Sequence, residues 1–214
     1  MKRVAVLASG RGSNVGALLG AQSVLSSYRV VLVLSNVPGA GALEVAGREG
    51  IESLTLPSKG LPRPVHEEMI LAAIRDRSVD VLCLAGYMRI IGPEFIRDIG
   101  IPVLNVHPSL LPAFPGLRAQ RQAIEAGVRW SGATVHFVDT GLDSGPIIVQ
   151  EPVPVECDDT EETLSRRILA VEHSLYPQAL NIVALNRYEV RGRTVCILDR
   201  ASERPPESGG AIGP

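Results

Sequence analysis

The stretch Leu104-Asn-Val-His-Pro-Ser-Leu-Leu-Pro112 sets an amide and an imidazole at alternate positions directly before a proline. Residues i and i+2 of an extended strand share a face, so Asn105 and His107 project together, and Pro108 stops the strand just past them. Such a pair suits acyl transfer: the amide donates to a carbonyl oxygen as it gains charge, and the imidazole manages a proton. Taken alone, a strand-end histidine is also an ordinary hydrogen-bonded cap. A carboxylate is offered by Thr140-Gly-Leu-Asp-Ser-Gly-Pro146, where glycines flank Leu-Asp-Ser in a tight loop. An aspartate in this setting is commonly a turn former, but one that reached His107 would fix the imidazole and support its charged form.

A second centre is the turn Ser9-Gly-Arg-Gly-Ser-Asn14. Gly10 and Gly12 let the backbone turn tightly, and Ser13 and Asn14 stand where free N–H groups and the helix dipole can hold one phosphate. The dinucleotide fingerprint fails, because Gly16 comes one residue late and Ser35-Asn36 offers no acidic ribose anchor. A plain capped strand-to-helix turn is the competing reading. Among the other polar residues, His66 reads as a solvated residue of a helix start, His136 as a packed strand residue, and Glu172-His173 as helix structure. No His, Cys or carboxylate spacing suits a metal, so none is expected.

These groups need a frame, and the sequence supplies one. Short apolar runs at Lys2–Ala8, Arg29–Ser35, Ile51–Leu56, Val79–Ala85 and Val103–Val106 alternate with helical patterns at 13–22, Gly41–Glu49, Val65–Arg75 and after Pro93. Strands without a polar face that alternate with helices predict a parallel sheet covered on both sides. Beyond it a proline-punctuated loop leads to a helix at Arg118–Ala126 and to strands at Ala133–Val138 and Ile147–Val155. Thr160 begins a long helix to about Leu185, with Glu161 and Glu162 favouring its positive end, and a hairpin follows around Arg191-Gly-Arg193. The Ser-, Glu-, Gly- and Pro-rich segment from Ala201 to Pro214 predicts disorder.

With 21 basic against 23 acidic residues among 214, a strongly basic nucleic-acid binder is excluded. No apolar run approaches the ~20 residues that span a bilayer, and the five apolar residues Val4–Ala8 are too few for a secretory core. Cys83, Cys157 and Cys196 are few, odd in number and far apart, which suits a reducing cytoplasm.

Four stretches in order, Ser9–Asn14, Ala85-Gly-Tyr-Met-Arg-Ile90, Asn105–Pro112 and Gly141–Pro146, resemble the formyltransferase family that uses 10-formyltetrahydrofolate. The resemblance covers about residues 1 to 198. It implies an α/β, Rossmann-like formyltransferase fold with a mostly parallel central sheet and helices on both faces. It implies one domain over 1–198, its N-terminal half binding the nucleotide phosphate and its C-terminal half binding folate and doing catalysis, with a disordered tail at 199–214. The implied reaction moves a formyl group from 10-formyltetrahydrofolate, as co-substrate, to the amine of glycinamide ribonucleotide without a metal.

Carried over by position, the resemblance makes Asn105, His107 and Asp143 the catalytic residues. Gly12, Ser13 and Asn14 go to the ribonucleotide phosphate, and Glu172 to its glycinamide end. Arg63, Met88, Arg89, Ile90 and Ile91, together with Asn105, go to the folate. Where many relatives carry histidines, this chain has Arg118-Ala-Gln-Arg121, which receives no role. The chain is expected to lack the extra domains of methionyl-tRNA formyltransferase and formyltetrahydrofolate hydrolase, and to act as a monomer or homodimer away from nucleic acid and membrane. Hydrolysis of formyl-folate and a non-catalytic nucleotide- or folate-binding regulator stand as alternatives.

Overall fold

Val4 to Ala8, the centre of β1 (Lys2–Ala8), are all buried, because the strand is covered on both faces. Val4, Val6 and Ala8 point into one core with α1 (Ser13–Leu25), α2 (Gly41–Arg48) and α6 (Glu161–Ala184). Ala5 and Leu7 point into another with α3 (Arg63–Arg75) and α4 (Pro93–Ile99). The computed structural model describes residues 1–25 and 27–198. The expected tail at 199–214 lies outside them.

The other elements are β2 (Tyr28–Ser35), β3 (Ser53–Thr55), β4 (Val81–Leu84), β5 (Val103–His107), α5 (Ala119–Glu125), β6 (Trp130–Phe137), β7 (Ile147–Pro154), β8 (Tyr188–Arg191) and β9 (Thr194–Ile197). One sheet runs β3-β2-β1-β4-β5-β6-β7-β9-β8. Its first five strands are parallel, while β6 and β7 are antiparallel to the strand before each, and the terminal hairpin joins through β7 and β9. The fold is thus the mostly parallel α/β sheet with helices on both faces that the sequence implies. Strand order reverses between β1 and β4, where open α/β sheets place their ligands at the carboxyl ends. The turns Ser9–Gly12 and Ala85–Gly92 leave from there.

The helix start at Thr160 follows from local chemistry. Its hydroxyl accepts the Thr163 N–H at 3.2 Å and the Thr163 hydroxyl accepts the Thr160 N–H at 2.9 Å, satisfying two free donors. α6 runs 24 residues and carries Tyr176 into the core, where the single hydroxyl proton is shared between the Leu84 and Leu104 carbonyls at 3.0 and 3.1 Å. Those carbonyls belong to β4 and β5, so one helix side chain ties the two strands together just before Asn105. Among the described residues no helix is long and apolar enough to cross a membrane.

Tyr176→Phe removes that hydroxyl and leaves buried carbonyls short of a donor. A loss of about 1–3 kcal/mol is expected, read as a lower urea midpoint at unchanged slope; an unchanged midpoint would mean that the bond contributes nothing to β4–β5 pairing.

Candidate active site

β5 and β6 pair so that Asn105 lies opposite His136 and His107 opposite Thr134. The loop after β6 brings Asp143 over this pair. His107 Nδ1 lies 3.3 Å from Asp143 Oδ2, and Nε2 lies 2.8 Å from the Phe114 carbonyl oxygen. A carbonyl only accepts, so Nε2 carries a proton. The Nδ1 contact with the carboxylate is then favourable when a further proton sits between the two groups, since a bare lone pair would repel the anion. Asp143 Oδ2 also accepts the Gly116 N–H at 2.8 Å. Asp143 itself has φ +47, a left-handed conformation that aspartate tolerates better than most residues.

His136 belongs to the same cluster. Its Nδ1 donates to the Phe137 carbonyl at 2.8 Å, which leaves Nε2 as an acceptor 3.3 Å from Asn105 Nδ2. The same amide nitrogen lies 3.5 Å from Asp143 Oδ1, so it separates two groups that would repel across 3.7 Å. Burial pushes the His136 pKa down, opposed by the Phe137 carbonyl and Asp143, and the ring stands neutral. It is buried, as a packed strand residue would be, but it also lines the site through its contact with Asn105, which is not legible without the strand register.

The loop after β5 is held by Thr134. Its hydroxyl donates to the Ser109 carbonyl and accepts from the Leu111 N–H and Gln150 Nε2, using every bond it can make. Gln150 also donates to the Leu111 carbonyl. The loop fixed in this way presents the Phe114 carbonyl to His107 and the Gly116 N–H to Asp143. A cavity of about 240 Å³, lined by Leu111, Pro112, Asp143, Gly145, Ile147 and Arg193, opens beside the carboxylate.

At the first turn, Gly12 has φ +83, and a Cβ there would lie 2.5 Å from Ala42 Cα, so the turn packs directly on α2. Asn14 Nδ2 donates to Glu172 Oε2 at 2.8 Å, which joins the start of α1 to α6. Both residues are buried; burial raises the Glu172 pKa while the Asn14 bond lowers it. The structure therefore brings Gly12, Ser13, Asn14 and Glu172 to one place. Ser9 Oγ accepts the Met88 N–H at 2.9 Å and donates to Asn36 Oδ1 at 2.6 Å, linking three strand ends. Met88 and Ile90 are exposed, and Arg89 donates to the Ser58 carbonyl at 3.2 Å. Arg63 is exposed on the first turn of α3, 3.9 Å from Glu67.

One expectation fails. His66 is not a solvated surface residue but is 1% exposed, bonded to the Leu56 carbonyl through Nε2 at 2.8 Å and near the Tyr87 hydroxyl through Nδ1. The polar neighbours Arg63, Glu67 and Glu68 hide the covering supplied by distant segments. Arg118 caps α5 with φ +58, and Arg121 pairs with Glu125 on the surface. No group of three or more potential metal ligands occurs among the described residues.

Residues 2–180 match the family model described as formyl transferase. The chain is 39% identical over 189 residues to phosphoribosylglycinamide formyltransferase of Bacillus subtilis, covering 87% of this chain and 97% of that protein. It is 47% identical over 187 residues to the trifunctional purine biosynthetic protein adenosine-3 of Drosophila pseudoobscura pseudoobscura, covering 86% of this chain but spanning only 14% of that relative. A solved structure of glycinamide ribonucleotide transformylase 1 from Symbiobacterium toebii superposes with TM-score 0.90 at 45% identity, over 93% of this chain and 95% of that one.

His136 also predicts a pH effect on stability. The unfolded ring takes up a proton near the ordinary 6.5, whereas the folded ring resists it until lower pH. This contribution is complete above that value and is lost as pH falls through it toward the folded pKa. The urea midpoint should drop between about pH 7.5 and about pH 5.5, and drop less in His136→Asn, whose amide retains a donor for Phe137; equal drops would place the titration elsewhere.

Proposed function

The chain belongs to the formyl transferase family, and on that premise we propose that it transfers the formyl group of 10-formyltetrahydrofolate to the primary amine of glycinamide ribonucleotide. The products are formylglycinamide ribonucleotide and tetrahydrofolate, a step of purine biosynthesis. The observation that carries this reading is the convergence of Asn105, His107 and Asp143 at the carboxyl end of β5. The similarity to phosphoribosylglycinamide formyltransferase along nearly the whole length of that enzyme supports the choice of acceptor.

The amine attacks the formyl carbon directly, and a tetrahedral intermediate forms with its charge on the former carbonyl oxygen. Asn105 donates to that oxygen, a role worth about 3–4 kcal/mol for one donor. His107 supplies a proton to the departing folate nitrogen, while Asp143 supports the charged imidazole and positions the water that relays the proton lost by the amine. His136 stays neutral and holds the Asn105 amide in place.

Gly12, Ser13 and Asn14 bind the ribonucleotide phosphate and Glu172 its glycinamide end. The Asn14 amide donates to Glu172 and leaves only its Oδ1 acceptor open, so the phosphate is held at this turn by backbone N–H groups and the Ser13 hydroxyl. Arg63 and Met88–Ile91, with Asn105, take the folate. Residues 1–198 act as one domain, but the expected division, with the nucleotide phosphate in the N-terminal half and folate in the C-terminal half, does not suit these assignments, since Glu172 meets Asn14 while Arg63 and Met88–Ile91 precede β5. The enzyme needs no metal and acts in the cytoplasm as a monomer or homodimer on small molecules alone.

Mixing the protein with 10-formyltetrahydrofolate should give deformylated folate, read by absorbance, only when glycinamide ribonucleotide is present. Equal product without the nucleotide would show a hydrolase, and binding without turnover a regulator. Asp143→Asn should lower kcat by roughly 10²–10⁴-fold and change the pH–rate profile; unchanged turnover and profile would remove Asp143 from the mechanism.

A further inference from the structure

Met88, Arg89, Ile90 and Ile91 lie between β4 and α4 in a segment with neither helix nor strand, and Met88 and Ile90 are about 70% exposed. Such a segment keeps its shape only through bonds made to it from outside. Besides Ser9 on the Met88 N–H and Ser58 on Arg89, two anchors come from adjacent residues of α3. The Tyr87 hydroxyl lies 3.4 Å from His66 Nδ1, and the Gly92 N–H donates to Glu67 Oε1 at 2.7 Å.

His66 and Glu67 are 1% and 6% exposed. Burying two adjacent polar side chains is costly unless each is satisfied. They do not cap their own helix, whose start at Pro62 has no side-chain cap, and their partners lie 10 to 25 residues away in sequence. His66 gives its Nε2 proton to the Leu56 carbonyl, leaving Nδ1 to accept. Burial raises the Tyr87 pKa to about 12, so its hydroxyl keeps the proton that Nδ1 accepts. Gly92 packs so closely that a Cβ would lie 2.9 Å from Glu67 Oε2 and 3.2 Å from Arg63 Nε. Arg63, exposed on the same turn of α3, thus stands at a spacing from Met88–Ile91 that these two bonds fix.

We propose that His66 and Glu67 are positioning residues for the formyl-folate: they lock the Met88–Ile91 segment against the start of α3 and so govern co-substrate affinity without taking part in formyl transfer. This rests on the assignment of Arg63 and Met88–Ile91 to folate.

The test is steady-state kinetics with each substrate varied in turn, alongside thermal unfolding. The variants are His66→Ala, Tyr87→Phe, their double mutant, Glu67→Ala and Glu67→Gln, with Arg89→Ala as the control for the folate assignment. Loss of one anchoring bond should raise the KM for 10-formyltetrahydrofolate roughly three- to tenfold, with kcat and the ribonucleotide KM nearly unchanged. The double mutant should be no worse than His66→Ala, because both remove one contact. Glu67→Gln, which can still accept from Gly92, should restore most of the affinity lost in Glu67→Ala. If Arg89→Ala raises the folate KM and the His66 and Glu67 variants do not, the proposal is overturned and the folate assignment stands. If Arg89→Ala has no effect either, the assignment and the proposal fall together. A parallel change in both KM values and kcat with a lower Tm would mark a purely structural role and also overturn it. Should His66→Ala not fold, Tyr87→Phe carries the same test from the other side of the bond.

Discussion

The antiparallel register of β5 and β6 is the constraint on which the site depends. A slip of one residue would turn every side chain to the opposite face of the sheet. Asn105 would lose His136, and His107 would lose both Asp143 and the Phe114 carbonyl. The register is held on one side by the apolar core, into which Leu104, Val106, Ala133 and Val135 point, and on the other by polar bonds from Thr134. The pairing that stabilises the sheet is therefore also the pairing that assembles the candidate catalytic cluster.

Polar groups this deeply placed must satisfy one another, and the cluster does so with little freedom. Asp143 is held by Gly116 and His107, His107 by Phe114, and the Asn105 amide stands between His136 and Asp143. Burial is the main reason that His136 stays neutral, and a proton on Nε2 would in addition displace the Asn105 donor. On the proposed assignment the Asn105 amide, shared between His136 and Asp143, turns one of these N–H groups to the developing oxyanion, and the low polarity of its surroundings strengthens that bond.

Features governed by neighbours in sequence were legible before the fold was known. The strand-end placement of Asn105 and His107, the Gly12 turn and the Thr160 helix start follow from alternation, glycine and capping chemistry. The mostly parallel sheet follows from apolar strands alternating with helices. What escaped depends on distant segments. His66 lies among polar residues and is buried by Leu56 and Tyr87; the His136–Asn105 contact needs the register of two strands; and β6 begins at Trp130 rather than Ala133 because its first residues pair with β7. The Asn14–Glu172 bond spans 158 residues, and no local pattern announces it.

The two faces of the sheet have different work on the proposed assignment. Asn14 and Glu172 join α1 to α6 on one side, while Arg63 and the Met88–Ile91 segment belong with α3 and α4 on the other. Asn105 and His107 alternate with Leu104 and Val106, so they face the α3 and α4 side even as their strand contributes to the first core. No single face can hold both substrates and the catalytic groups. On that assignment the amine and the formyl carbon meet over the carboxyl ends of β1, β4 and β5, the edge that the turns Ser9–Gly12 and Ala85–Gly92 share. Tyr176 bridges the last two of those strands from the α6 side. The reversal of strand order beside β1 provides the crevice, and the rigid pairing of β5 with β6 sets the reacting groups at its rim.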